Sequence, residues 1–186
     1  MTRIVAGTHG GRRISAPAGR DTRPTSDRVR EALFSTLDTM VDLAGCRFAD
    51  LYAGSGAVGL EAASRGAEHV LLVESDPGAA RTARANIAAL KLGATVRLAT
   101  GKVAAVLAGA PDAAYDVVFA DPPYALADGE VTAVLSTLVD NGWLAPGAVV
   151  VVERSARSPE PTWVDKITAE RGRRYGETML WYGRAA

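Results

Sequence analysis

The sequence predicts an α/β protein: a Rossmann-like, doubly wound and mostly parallel sheet of seven strands, with a small β-hairpin extension at the N-terminus. Three observations predict it. From residue 47 onward, apolar runs of four or five residues alternate with helix-period segments, the texture of strands buried on both faces and joined by crossover helices. Gly54-x-Gly56-x-x-Gly59 falls between the first run and the first helix, where glycines let backbone approach a ligand and a helix N-terminus offers free N–H groups. Asp121-Pro122-Pro123-Tyr124 follows the fourth run, and its two prolines fix φ and stop the chain from continuing as a ladder or helix.

Taken in order, residues 3–6 and 12–16 flank Gly7-Thr8-His9-Gly10-Gly11 and read as a hairpin with a glycine-rich tip, an appendage on which His9 faces solvent. Residues 17–24 form a Pro/Gly/Arg linker. Thr25 or Ser26 then caps a helix with Val29, Leu33, Leu37 and Met40 or Val41 at spacings of three and four, broadened by Phe34 and carrying Arg28 and Arg30. The five parallel strands are expected at 48–52, 70–73, 95–99, 116–120 and 148–152. Helices are expected at 57–65, closed by Gly66, at 77–92, opened by Pro77 and ended by Gly93, at 103–107, and at 129–140 with Val131, Val134, Leu135 and Leu138 inward. Segments 162–168 and 178–182 supply the last two strands. The domain organisation that results is 1–24 as basic hairpin and linker, and 25–186 as the main domain.

The 186 residues suffice for one such domain. With 48% hydrophobic and 23% charged residues the chain is globular, and no apolar run reaches the length of a membrane span. No apolar signal core follows Met1, so a cytoplasmic protein is expected. Cys46, the single cysteine, excludes an internal disulfide, has no metal-site spacing and reads as a small buried hydrophobe. Net charge is zero, yet residues 1–30 hold seven arginines against two aspartates. The guanidinium fork binds phosphate in a bidentate manner and stacks on bases.

Asp121 should sit at a strand's carboxyl end, the edge where open α/β sheets bind ligands. There Asp121 and the Pro122 carbonyl are convergent acceptors and Tyr124 a flat wall. That set suits a planar amine, whose ring stacks while the acceptors draw lone-pair density toward an electrophile. Glu74, twenty residues after Gly54, ends the next strand, where a carboxylate can accept both hydroxyls of a ribose. A dinucleotide such as NAD and the sulfonium S-adenosylmethionine both satisfy this geometry. Asp50 favours the second, since an acid beside the glycines suits a positively charged methionine end better than a pyrophosphate; a purely structural Asp50, bonding loop amides, is the alternative.

Asp50-Leu-Tyr-Ala-Gly-Ser-Gly-Ala-Val-Gly59, with Glu74 and Asp121-Pro-Pro-Tyr124, resembles the class I S-adenosylmethionine-dependent amino-methyltransferases. Arg3-Ile-Val-Ala-Gly-x-x-x-Gly11-Arg12-Arg13, the run from Arg23 to Phe34, and Asp140-Asn-Gly-Trp-Leu144 are similar to the bacterial RsmD family, the 16S ribosomal RNA guanine-N2 methyltransferases. The likeness extends to Glu153 and, beyond it, to the closing strand. It implies methyl transfer from S-adenosylmethionine to the exocyclic N2 of one guanine in 16S rRNA, within a small ribosomal subunit or assembly intermediate, by a monomer and without a metal. It assigns Asp50, Ala53, Gly54, Ser55, Gly56, Glu74 and Ser75 to the cofactor, Asp121, Pro122 and Tyr124 to the flipped guanine, and Arg3, Arg12, Arg13, Arg23 and Arg28 to rRNA. Gly101-Lys102 stands where many methyltransferases place an acid or amide near adenine, which leaves that contact unassigned. A DNA adenine-N6 methyltransferase, a nicotinamide-dependent oxidoreductase and a non-catalytic rRNA-binding assembly factor are the rival readings.

Overall fold

The computed structural model describes residues 2–16 and 26–186. β1 (Thr2–Arg3) and β2 (Arg13–Ile14) pair antiparallel, and α1 (Asp27–Met40) follows. The main unit then runs β3 (Arg47–Leu51), α2 (Ala57–Ser64), β4 (His69–Glu74), α3 (Pro77–Ala89), β5 (Val96–Thr100), α4 (Val103–Leu107), β6 (Tyr115–Ala120), α5 (Asp128–Asp140), β7 (Leu144–Ser155), β8 (Ile167–Tyr175) and β9 (Thr178–Ala185). Its seven strands lie in the order β5-β4-β3-β6-β7-β9-β8, parallel up to β7 and antiparallel in the last two pairings. Strand order reverses between β3 and β6, so the glycine loop and Asp121 leave the sheet side by side.

Period-two alternation divides the core between two faces. Phe48, Val117, Phe119, Val149 and Val151 pack under α1, α2 and α3, while Ala49, Val118, Ala120, Val150 and Val152 pack against α4 and α5. Local chemistry starts the helices where expected. The Ser26 side chain accepts from Val29 N at the head of α1; Asp76 does the same for Ala79 N at α3, with Pro77 in the first turn. Cys46 is buried, which pushes its thiol up to about 12.

Three expectations are corrected. The hairpin is no appendage: Ile4 and Ile14 are 0% and 3% exposed and belong to the main core. Glu61, buried on α2, accepts from Val5 N (2.8 Å) and Ala6 N (3.0 Å), and Arg30 Nε donates to the same carboxylate at 3.2 Å. His9 is half-buried rather than free in solvent; its Nε2 lies 3.0 Å from the Leu90 carbonyl at the end of α3. The strand expected at 162–168 is β8, displaced to Ile167–Tyr175, because an edge strand is marked by exposed charge rather than by an apolar run.

Candidate active site

Beyond Leu51 the chain turns sharply. Tyr52, Gly54 and Gly56 all take left-handed backbone, at φ of 59°, 59° and 85°. A Cβ at Gly59 would come within 2.3 Å of Leu72 Cδ2, so this glycine serves the packing of α2 on the sheet, whereas nothing lies near the missing Cβ of Gly54. That side of the loop is open. Glu74 Oε1 accepts from Gly54 N at 2.7 Å and Oε2 from Asp76 N at 2.8 Å, so one carboxylate ties the loop after β3 to the start of α3. Each oxygen keeps a further lone pair for an incoming hydroxyl. Asp50, 1% exposed, lies beneath the loop and accepts from Gly59 N at 2.9 Å. Burial raises its pKa well above the ordinary carboxylate value, Glu74 and Glu153 add to the rise, and the Gly59 N–H opposes it. Ala53 donates its N–H to Val73 O, and Ser55 is buried with its carbonyl accepting from Asn86.

A cavity of about 450 Å³ opens beside this loop, walled by Tyr52, Val103, Leu126 and Val134, with Glu74, Ser75 and Lys102 at polar positions. An apolar slot with a carboxylate at its margin is the right chemistry for an adenosine group. Lys102, at the position the sequence left without a contact, lines this wall.

Asp121 N–H reaches Leu51 O at 3.4 Å, which holds the tetrapeptide against the glycine loop's strand. Pro122 is buried and Tyr124 is 42% exposed, an aromatic face at the rim. The register Ala120↔Val152 sets Asp121 beside Glu153 of β7, and alternation puts both on the face of Asp50. Desolvation, followed by the charge and hydrogen bond of Glu153 and the charge of Asp50, drives the Asp121 pKa well above normal, with Arg154 opposing. Two carboxyl groups in one hydrogen bond share a proton. Arg154, 4% exposed, donates to the carbonyls of Pro123 (3.2 Å) and Leu126 (3.0 Å) and so fixes the loop that carries Tyr124. Sequence reasoning missed both Glu153 and Arg154. The signal was there: two charged residues directly after a run of four valines, in a strand too buried to leave them unpaired.

Of the arginines assigned to rRNA, Arg3, Arg13 and Arg28 are exposed on the hairpin and at the start of α1. Arg12 is exposed as well. Its guanidinium donates to Ala89 O at 3.0 Å, and the hairpin tip bonds Ser64, so both sit where α2 and α3 end, at the sheet edge opposite Asp121. Arg23 lies outside the described residues.

A doubly wound sheet with a glycine loop, a Glu74 bonded to that loop and Asp-Pro-Pro-Tyr at the switch point, in a chain similar to methyltransferases at 34–39% identity, defines a class I S-adenosylmethionine-dependent methyltransferase. The RNA methyltransferase of Salinibacter ruber, solved with S-adenosyl-L-homocysteine, shares this fold at TM-score 0.65 and 20% identity over 88% of this chain and 94% of that one. The chain belongs to the family of ribosomal RNA small subunit methyltransferase D: the family described as conserved hypothetical protein 95 matches residues 2–184. Ribosomal RNA small subunit methyltransferase D of Escherichia coli K12 is 39% identical over 162 residues, 86% of this chain and 78% of its own length. The Haemophilus influenzae protein of the same name is 34% identical over 159 residues, covering 84% of this chain and 80% of the relative. Solved yhhF from Escherichia coli superposes at TM-score 0.85 with 34% identity, over 98% of this chain and 97% of that one.

Proposed function

We propose that this enzyme methylates the exocyclic N2 of one guanine in 16S rRNA of the small ribosomal subunit or its precursor, in the cytoplasm. The observation that carries the reading is the placement of Asp121 and Tyr124 one strand from the glycine loop, with Asp121 hydrogen-bonded to a second buried carboxyl. The names borne by the relatives support the rRNA substrate. Bound S-adenosylmethionine supplies an electrophilic methyl group. Glu74 holds its ribose, Gly54 and Gly56 give its methionine end close backbone contact, and Asp50 braces the loop from beneath through Gly59 N.

Tyr124 stacks on the flipped base, and Asp121 with the Pro122 carbonyl accepts the two amine hydrogens, so the nitrogen lone pair points toward the methyl group. Catalysis then comes from alignment and from acceptors fixed in advance. The nitrogen–carbon bond would form as the methyl–sulfur bond breaks, leaving the neutral thioether, and on this reading the Asp121–Glu153 pair takes the one proton the amine then sheds. On this reading residues 1–24 add RNA contacts to the 25–186 methyltransferase domain. The test is incubation with labelled cofactor and small subunits from a strain lacking the gene, then digestion to nucleosides. N2-methylguanosine from a single position is expected; label only in N6-methyladenine of DNA, or none in any ribosomal substrate, would overturn the assignment.

A further inference from the structure

The far end of the sheet carries charge that the proposed reaction has not yet used. Ala120, the last residue of β6, faces Val152, but β7 runs on through Glu153, Arg154 and Ser155. These pair with Leu180, Met179 and Thr178 of β9, which pair in turn with Arg173, Arg174 and Tyr175 of β8. At about 3.3 Å per residue, the three-stranded ribbon stands roughly 10 Å beyond the sheet edge as a wall beside the amine pocket.

Residues directly opposite one another share a face. Glu153, Leu180 and Arg173 form one row across the wall, on the same face as Asp121; Val151, Tyr182 and Arg171 form another. Arg173 is three strands from Asp121, about 14 Å at 4.8 Å per strand. A bulge between Ala169 and Arg171 produces this placement. Simple alternation from Ile167, which packs on the α4–α5 face, would send Arg171 and Arg173 to that face; the extra residue turns them to the face of Asp121.

Both arginines are exposed, and among the described residues neither has an ion-pair partner. The nearby acids are taken: Glu170 pairs with Arg184 at 2.8 Å and Glu177 with Arg157 at 3.6 Å. Charge alone would guard an edge strand. It does not require a bulge that aims two guanidinium groups at the face of the amine pocket.

Resting on the rRNA reading, we infer that Arg171 and Arg173 form a phosphate-binding rim that grips the RNA backbone beside the flipped base. The hairpin tip, at the opposite sheet edge, is too far from Asp121 to do this. The test compares the enzyme with its Arg171→Ala/Arg173→Ala variant, using unmethylated small subunits and labelled S-adenosylmethionine across a salt series. The variant should show a KM for subunits raised about tenfold with kcat nearly unchanged, and a logarithmic salt slope flatter by roughly 1.4 to 1.8, which is two phosphate contacts. S-adenosylhomocysteine affinity and melting temperature should not move, and Arg171→Lys/Arg173→Lys should restore most of the slope. An unchanged KM and slope in the alanine variant overturns the rim while the parent enzyme's methylation still stands. A parent enzyme inactive on subunits overturns the rRNA reading and the rim with it.

Discussion

At the scale of single residues, the proposed reaction separates cofactor holding from amine alignment. Glu74 does two jobs, bonding Gly54 N and Asp76 N, so Glu74→Ala should loosen the loop as well as remove a ribose acceptor. Charged hydrogen bonds contribute about 1.5–3 kcal/mol, so calorimetry should find S-adenosylhomocysteine bound at least tenfold more weakly. Tyr124→Phe should keep most activity and Tyr124→Ala lose it, since stacking on a base is worth roughly 1–3 kcal/mol and uses the ring face; equal loss in both would count against stacking. Asp121→Asn separates function from stability. Its kcat should collapse while cofactor affinity holds. The folded state raises the Asp121 pKa above 3.8, so this carboxyl stabilises most below that pH, and the contribution fades as pH climbs toward the raised value. Asparagine cannot ionise. The variant should therefore melt above the parent at pH 8, with the gain disappearing near pH 4. Each tenfold in proton affinity is about 1.4 kcal/mol, or roughly 3–5 °C in a chain of this size.

At the scale of elements, the parallel strands and their helices were legible in sequence because each carries its own signal: a buried apolar run, a Ser26 cap or a Pro77 first turn, a glycine forced into left-handed backbone. Elements whose reason is elsewhere in the fold were not. Glu61 looks like an ordinary surface residue of α2, and only the structure shows it buried under the hairpin, accepting from Val5, Ala6, Arg30 and Arg65. β8 hid because exposed charge, and not apolarity, makes its pattern. The candidate site was legible where chemistry is compressed into a few consecutive residues, as in Asp121 to Tyr124. It was illegible where two strands combine, as in the Asp121–Glu153 pair. Glu61→Ala would leave Arg30 buried with only Asp27, Thr2 and a carbonyl, and two hairpin amides without acceptors. Breaking a buried pair on one side costs about 3–5 kcal/mol. Thermal denaturation should show a drop of roughly 10 °C or more.

At the scale of the whole molecule, the question is whether the hairpin is a detachable arm or part of the folding unit. Its backbone bonds run to Glu61 and Ser64 on α2, and Ser15 pairs both ways with Asn86 on α3. Ile4 and Ile14 fill the layer beneath which β3 and β4 lie. Removing residues 1–16 would expose the apolar surface these two isoleucines cover, worth about 1.5–3 kcal/mol each, and strip acceptors and donors from groups that cost about 1–3 kcal/mol apiece when left unmet. The sum rivals a whole domain's stability of roughly 5–15 kcal/mol. The truncated chain should therefore melt far below the parent and bind S-adenosylhomocysteine weakly, while the full chain unfolds in one transition that follows both far-ultraviolet and aromatic signals. A truncated chain with the parent's melting temperature would show the hairpin to be a separate arm, and would return the weight of the N-terminal arginines to RNA contact alone.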